Sequence, residues 1–531
     1  MKNSRYFVLY ACLFVSLAGA PFAYFVDHFV WLWLLAVALT IVGITDLVQG
    51  KQAVRKNYPI MSHVRYIMEA IRPEVRQYLI ESDEEKLPFS RSQRSLVYAR
   101  SKNEPSEKAF GTIVDVYEPG FEFIGHSMSP AKHINPESFR ITIGGPQCKL
   151  PYSASIFNIS AMSFGALSAN AIRALNRGAS LGDFAHDTGE GSISPYHKEY
   201  QGALVWQLGS GLFGCRDPFG KFCPSRFAEQ AQLTNVSMVS VKLSQGAKPG
   251  HGGILPAAKV TEEIAVTRGV KMGEDCISPA SHSSFTNPIE LLQFIQQLRE
   301  LSGGKPIGFK LCLGQPWEFM GIAKAMLETG ILPDFIIVDG KEGGTGAAPK
   351  EFTDHIGMPL REGLMFVHNT LVGLNLRDKI KIGASGKIIS SFDIASIFAL
   401  GADWVNSARG FMFALGCLQA QSCGSGKCPT GVATQDPIRQ KALDVTEKSN
   451  RVYNYHKNTL IALSEMLAAA GIDHPSQITA DLMVRRVSSS EIRMFSELHF
   501  FMKPGALLNE SSGSDFYDRM WLKARADSFR V

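Results

Sequence analysis

The chain of 531 residues is 45% hydrophobic and 19% charged, enough apolar material for a large core and unlike disordered or low-complexity composition. A net charge of +5 is mild, and no Lys/Arg-rich block with interleaved aromatics is present, which argues against nucleic acid as a partner. The nine cysteines, an odd number scattered except for the last three, make a disulfide framework implausible and fit a reducing compartment.

The first fifty residues read as a two-helix transmembrane hairpin. Tyr6 to Val26 is an uncharged apolar run, and Phe29 to Val48 is a second, interrupted only by Asp46. Each has the length needed to cross about 30 Å of hydrocarbon as a helix. A cleavable signal peptide is the competing reading of the first run, with Ala18-Gly19-Ala20 as its cleavage site. The second apolar run directly behind it favours retention. Lys2 and Arg5 flank the first run and Lys51, Arg55 and Lys56 follow the second. The positive-inside rule then places both ends, and the catalytic domain, on the cytoplasmic side of the cytoplasmic membrane, with lipid as a partner.

Residues 51–109 are charged and mixed, with helical spacing after Val64, and read as a linker and lead-in. Beyond them short β-branched runs alternate with longer helical stretches: Ile156–Ser160, Met238–Leu243, Ile307–Leu311, Phe335–Asp339, Ile380–Ala384 and Trp404–Ser407. Strands separated by helices predict βαβ units and a parallel sheet. No early G-x-G-x-x-G turn marks a doubly wound sheet, and polar Gly-rich segments follow strand after strand. The predicted fold is therefore α/β, a (β/α)₈ TIM barrel over 110–480, with 481–531 as a C-terminal tail.

Several segments carry chemistry. Asn158 to Gly165, at the end of the first predicted strand, is small-residue backbone that a planar ring could lie against, or a plain turn. Gln245 to Gly253 places a cation and a histidine among glycines, suited to an anion or simply a solvated loop. Lys242 and Lys310 lie in otherwise apolar strands, where a barrel directs such side chains to its mouth unless they snorkel. Asp339 to Gly346 is another strand-end segment. Gly383-Ala-Ser-Gly386 and Ser407-Ala-Arg-Gly410 end the last two predicted strands, where barrels commonly bind phosphate. Finally, Cys417, Cys423 and Cys428, with Pro429 after the last, suit an iron–sulfur cluster better than zinc, whose fourth ligand is missing at short spacing. Buried unliganded thiols are the alternative.

Taken in order, Ser163-Phe-Gly-Ala-Leu-Ser168, Thr188-Gly-Glu-Gly191, Gly209-Ser-Gly-Leu-Phe-Gly214, Gln245-Gly-Ala-Lys-Pro-Gly250, Gly343-Gly-Thr-Gly346 and Cys428-Pro-Thr-Gly-Val-Ala-Thr-Gln435 resemble the FMN-binding synthase domain of the glutamate synthase family. The resemblance implies FMN at the barrel mouth, a [3Fe–4S] cluster on Cys417, Cys423 and Cys428, and reductive amination of 2-oxoglutarate to glutamate. It implies ring contacts at Ala161, Met162 and Ser163, phosphate contacts at Gly383, Gly386, Ala408 and Arg409, and flavin or substrate contacts at Gln245 and Lys248. Lys310 and Glu190 are the candidate catalytic residues.

The departures shape the expected reaction. The chain starts Met1-Lys2-Asn3 rather than at an amidotransferase cysteine, ends too soon after the helix at Tyr453–Ala470 for the family's C-terminal β-helix, and carries no dinucleotide fingerprint. Free or partner-supplied ammonia and a separate electron donor, a ferredoxin or reductase subunit, are expected. The alternatives are a family-related flavin and iron–sulfur oxidoreductase acting on another 2-oxo acid or amine, and a membrane-bound electron-transfer subunit.

Overall fold

The first apolar run does not fold as one helix. In the computed structural model, which describes residues 4–85, 88–105, 109–132, 134–509 and 511–531, it is divided at Gly19 into helices Phe7–Ala18 and Ala20–Phe25. Pro21 accounts for the break, because in the first turn of the second helix it has no N–H to give back to the preceding turn. The following helix, Asp27–Val48, is continuous, and His28–Val48 is the one helix among the described residues long and apolar enough to cross a membrane. The expected hairpin of two full spans is thus corrected to one such helix with two shorter ones before it. Lys2, used above to orient the first run, lies outside the described residues.

These helices belong to the first of two compact units, Met1–Arg91 and Ser92–Val531. Within it, Trp33 Nε1 donates to the Ser16 carbonyl at 2.9 Å, Ser16 Oγ and Thr40 Oγ1 pair at 3.0 Å, and Gly43 lets Leu9 and Ile60 approach so closely that a Cβ there would sit 2.4 Å from Leu9 Cδ1. Asp46 is buried, its carboxylate accepting from the Ile60 N–H at 3.0 Å and from His63 Nε2 at 2.9 Å. A helix Ser62–Val75 follows, continued by a wider turn over Arg76–Ile80.

The second unit is built on eight parallel strands closed into a barrel: β1 Phe157–Ile159, β2 His186–Asp187, β3 Leu204–Leu208, β4 Val236–Lys242, β5 Ile307–Leu311, β6 Phe335–Asp339, β7 Lys381–Ser385 and β8 Trp404–Ser407. Closure is made by β8 on β1, with Val405 opposite Phe157 and Ser407 opposite Ile159. Strands covered on both faces read as continuous apolar runs, which is why β5, β6 and β8 lie where the sequence predicts them. β2 and β3 complete the ring and were not among the expected strands.

Helices return the chain between strands, starting where caps allow: Ser168 Oγ accepts from the Ala171 N–H ahead of Ala169–Gly182, and Asn287 from Glu290 ahead of Pro288–Leu301. The long helix Val445–Ala469 packs against Ala169–Gly182, and a Cβ on Gly178 would meet Val452 at 2.4 Å. Residues of the expected tail are structured. Met483–Arg486 and Ile492–Met494 form an antiparallel sheet with Glu122–Ile124, and Asp515–Lys523 packs on Pro316–Thr329.

At the N-terminal end of the barrel, buried Asp334 accepts from Gly145 N–H at 2.7 Å, Ile307 N–H at 2.8 Å and Arg299 Nη2 at 3.1 Å. Removing one partner of a buried, hydrogen-bonded pair strands the other charge, at a cost of about 3–5 kcal/mol. Asp334→Ala is expected to lower the thermal midpoint of the purified chain by several degrees; an unchanged midpoint would contradict this reading of the barrel floor.

Candidate active site

The C-terminal ends of β2, β4, β5 and β6 bring charged side chains into the barrel, and that of β7 brings a serine. Lys310 on β5 is opposite Lys242 on β4, and both are buried. Lys310 Nζ lies 3.7 Å from Asp339 Oδ2 at the end of β6. The same carboxylate accepts from the Gly246 N–H at 2.9 Å and from the Ser385 hydroxyl of β7. On β2, Asp187 accepts from the Gly189 N–H at 2.9 Å and from Gln207 Nε2 of β3 at 3.2 Å. Burial pushes the Asp187 carboxyl up to about 6, with Asp339 adding to the rise and Lys310 and Lys242 opposing it. The two lysines thus share the barrel mouth with two carboxylates.

Glu190 is held away from bulk water between Gly209 and Gly253, at either of which a Cβ would fall within 2.7 Å of its carboxylate oxygens. Its partner is Lys242 Nζ at 2.8 Å. Burial pushes the Glu190 carboxyl up, but Lys242, Arg268 and Lys248 together hold it below the ordinary carboxylate range. A cavity opens beside this pair, bounded by Ser210, Ser244, Gln245 and His251. Gln245 thus lines this cavity, whereas the buried Lys248 donates to the Ala347 carbonyl at 3.1 Å.

Ala161, Met162 and Ser163 follow β1 and lie against the turn after β2. A Cβ on Gly189 would be 2.8 Å from the Ser163 N and 3.2 Å from the Met162 N. The small residues of this segment form a closely fitted wall, with Ala161 and Ser163 half-buried. The phosphate-type segments are divided in role. Gly383 is inside β7, where a Cβ would run into the Trp404 ring at 2.4 Å, so packing demands the glycine there. Gly386 and Ala408 lie just beyond β7 and β8, which are paired through Ser385 and Asn406. Arg409 reaches from β8 to donate to the Glu342 carbonyl after β6. Burial lowers the Lys387 ammonium and the neighbouring Arg409 lowers it further, with Glu342 opposing, so two cations and a carboxylate are neighbours at these strand ends.

The three cysteines share one neighbourhood, close enough for Cys423 and Cys428 to act on Cys417. Burial pushes the Cys417 thiol up to about 11 and raises Cys423. Burial also opposes ionisation at Cys428, but N–H groups of Ala433, Thr430 and Val432 and the Thr430 hydroxyl more than offset it, leaving this thiol lowered. Among the described residues no three His, Cys, Asp or Glu side chains converge on a single metal ion. The loop is pinned from outside: Tyr98 Oη donates to the Cys417 carbonyl at 2.6 Å and Lys259 Nζ to the Cys423 carbonyl at 2.8 Å.

Asp187, Gln207, Lys259, Lys387 and Tyr98 are contributions that sequence reading missed. Asp187 adjoins Thr188-Gly-Glu-Gly191, but its strand is two residues long and shows no periodicity. Lys259 and Tyr98 are far from the cysteines along the chain and carried no signal.

A (β/α)₈ barrel that concentrates its glycine-rich loops, lysines and carboxylates at the C-terminal mouth has the organisation of an enzyme. Residues 140–473 match the conserved region in glutamate synthase. The chain is 37% identical over 500 residues to the glutamate synthase large subunit-like protein YerD of Bacillus subtilis, covering 86% of this chain and 95% of that one. It is 36% identical over 330 residues to the archaeal-type glutamate synthase [NADPH] of Thermotoga neapolitana, covering 62% of this chain and 61% of that protein. A mutant flavocytochrome b2 with pyruvate bound aligns at 14% identity and a TM-score of 0.42 over 84% of this chain and 90% of that one, too distant to add to the barrel seen directly. The chain belongs to the glutamate synthase family. It is an oxidoreductase of that type.

The Asp187 shift makes a prediction. Its folded value lies above the ordinary 3.8, so the fold favours the protonated form; that contribution is complete below 3.8 and is lost as the pH rises through about 6. Asp187→Asn is expected to gain stability relative to wild type, on the order of 2 kcal/mol, between about pH 4 and pH 7. A difference that stays flat across that range would refute the assignment.

Proposed function

We propose that the chain is a membrane-attached, FMN-dependent enzyme that converts 2-oxoglutarate and ammonia to glutamate, with electrons entering through an iron–sulfur cluster from a separate donor. The observation that carries the reading is the buried Lys310, paired with Asp339 and electrostatically felt by Asp187, at a barrel mouth walled by Ala161–Ser163. The residues fit FMN: small backbone for the ring, and Gly386, Ala408, Lys387 and Arg409 for a phosphate dianion. For a thiolate-bound cluster the support is narrower: Cys417, Cys423 and Cys428 share one loop without converging on a single ion, and the buried Lys259 ammonium, donating to the Cys423 carbonyl, would face the anionic sulfur. Bound there, the flavin supplies hydride and the cluster delivers electrons one at a time.

The chain's own residues do the rest. Gln245 and Lys242 line the cavity that admits the 2-oxo acid, and Lys310 is placed to give a proton to the carbonyl oxygen as it leaves as water. Asp339 and Asp187 orient that ammonium and supply the route by which it is reprotonated. Glu190, held ionised opposite Lys242, favours a second reading in which the nitrogen donor is an alkylammonium rather than ammonium, giving an N-substituted glutamate.

Purified chain is expected to show flavin absorbance bands and a low-temperature EPR signal of an oxidised three-iron cluster, and with dithionite as reductant to form glutamate from 2-oxoglutarate and ammonium. Absence of both cofactors would end the proposal; methylamine outperforming ammonium would favour the second reading. Lys310→Met is expected to lose about 10²–10⁴-fold in turnover while keeping its flavin. Lys259→Met is expected to move the cluster's midpoint, followed by EPR, to more negative potential, and Lys259→Arg to restore it.

A further inference from the structure

The helix Ser62–Val75 is amphipathic, with an apolar face that the described residues of the first unit leave exposed. Val64, Ile67, Met68 and Ile71 recur at helical spacing and form one stripe, and Leu79 extends it; Ile67 is 58% exposed and Leu79 80%. Arg65, Arg72 and Arg76 fall along one border of this stripe, all exposed, with Arg65 beside Glu69 at 3.0 Å and Arg76 paired with Glu85. From residue 49 to 80 there are six Lys and Arg against two Glu. A stripe of this width left in water is unfavourable, and its arginine border is what an anionic lipid surface would recognise.

Where the helix begins supports the same occupant. Asp46 lies in the last turn of the apolar helix Asp27–Val48, two residues and about 3 Å from its end. Its carboxylate is capped by Ile60 N–H and His63 Nε2, and Ile60 itself packs beside Gly43. The start of Ser62–Val75 is therefore fastened to the level at which the apolar helix ends. In a bilayer that level is the boundary between hydrocarbon and headgroups, where a carboxylate that accepts two N–H donors is tolerated.

We infer that Ser62–Ile80 is an in-plane membrane helix, its stripe of Val64, Ile67, Met68 and Ile71 sunk among acyl chains and its arginines on anionic headgroups, so that the chain is held to the surface at a fixed depth rather than on a free tether. The inference rests on His28–Val48 crossing the membrane, and the test separates the two. Full-length protein is reconstituted into vesicles of phosphatidylcholine with a minority of phosphatidylglycerol. The photocrosslinker p-benzoylphenylalanine replaces Ile67, Ala70 or Leu35 in turn, and adducts are identified by mass. Lipid adducts at positions 67 and 35, with none at 70 on the flank away from the stripe, are expected. Lipid at 35 but only protein or solvent products at 67 would overturn the in-plane helix and leave the span standing. No lipid at 35 would overturn the span and this inference with it. Loss of the adduct at 67 when phosphatidylglycerol is omitted would confirm the arginine border; its persistence would overturn the anionic part of the assignment.

Discussion

An ammonium buried inside a barrel persists only where carboxylates and dipoles replace the water it has lost. At Lys310 that replacement is Asp339, with Asp187 within electrostatic reach, and the arrangement reaches well beyond the lysine. Asp339 also receives the Gly246 N–H and the Ser385 hydroxyl, so one carboxylate ties β5, β6 and β7 to the loop after β4. Gly246 sits so tightly on Gly340 that a Cβ would lie 1.7 Å from its carbonyl oxygen. The geometry of the mouth is thus set by electrostatics inside the barrel as much as by the loops that form its rim.

How far the sequence revealed this depended on whether the determining contacts were local. β5, β6 and β8 were legible because doubly covered parallel strands are short apolar runs with a clear end. β2 was not, since two polar residues, His186 and Asp187, carry no period, and its strand character comes from pairing with its neighbours. Gly383 shows a different failure: a glycine at a strand end suggested a phosphate loop, yet the Trp404 ring explains it. The cysteine spacing was readable, but Lys259, which faces Cys423 across the fold, was not. Glu190 was picked out by its motif, while its confinement by Gly209, Gly253 and Lys242 needed the fold.

The N-terminal unit shows the same division. Apolar length marked residues 6–48, but Pro21 and Gly19 divide the first part in a way that hydropathy averages over. Residues after 51 read only as a lead-in with some helical spacing, because their pattern has meaning only once Asp46, in the last turn of the apolar helix, is seen in contact with the start of the next helix.

The pairing of β8 with β1 bears on how the chain is made. Every other strand of the barrel can find a neighbour already synthesised, but the edge of β1 stays open until Trp404–Ser407 has left the ribosome. Helix Val445–Ala469, which packs on Ala169–Gly182, emerges later still. A growing chain therefore carries an unpaired strand edge through most of its translation, the condition under which parallel sheets aggregate. Long-range closure of this kind is slow, and truncation before residue 404 would leave an adhesive open sheet instead of a smaller barrel.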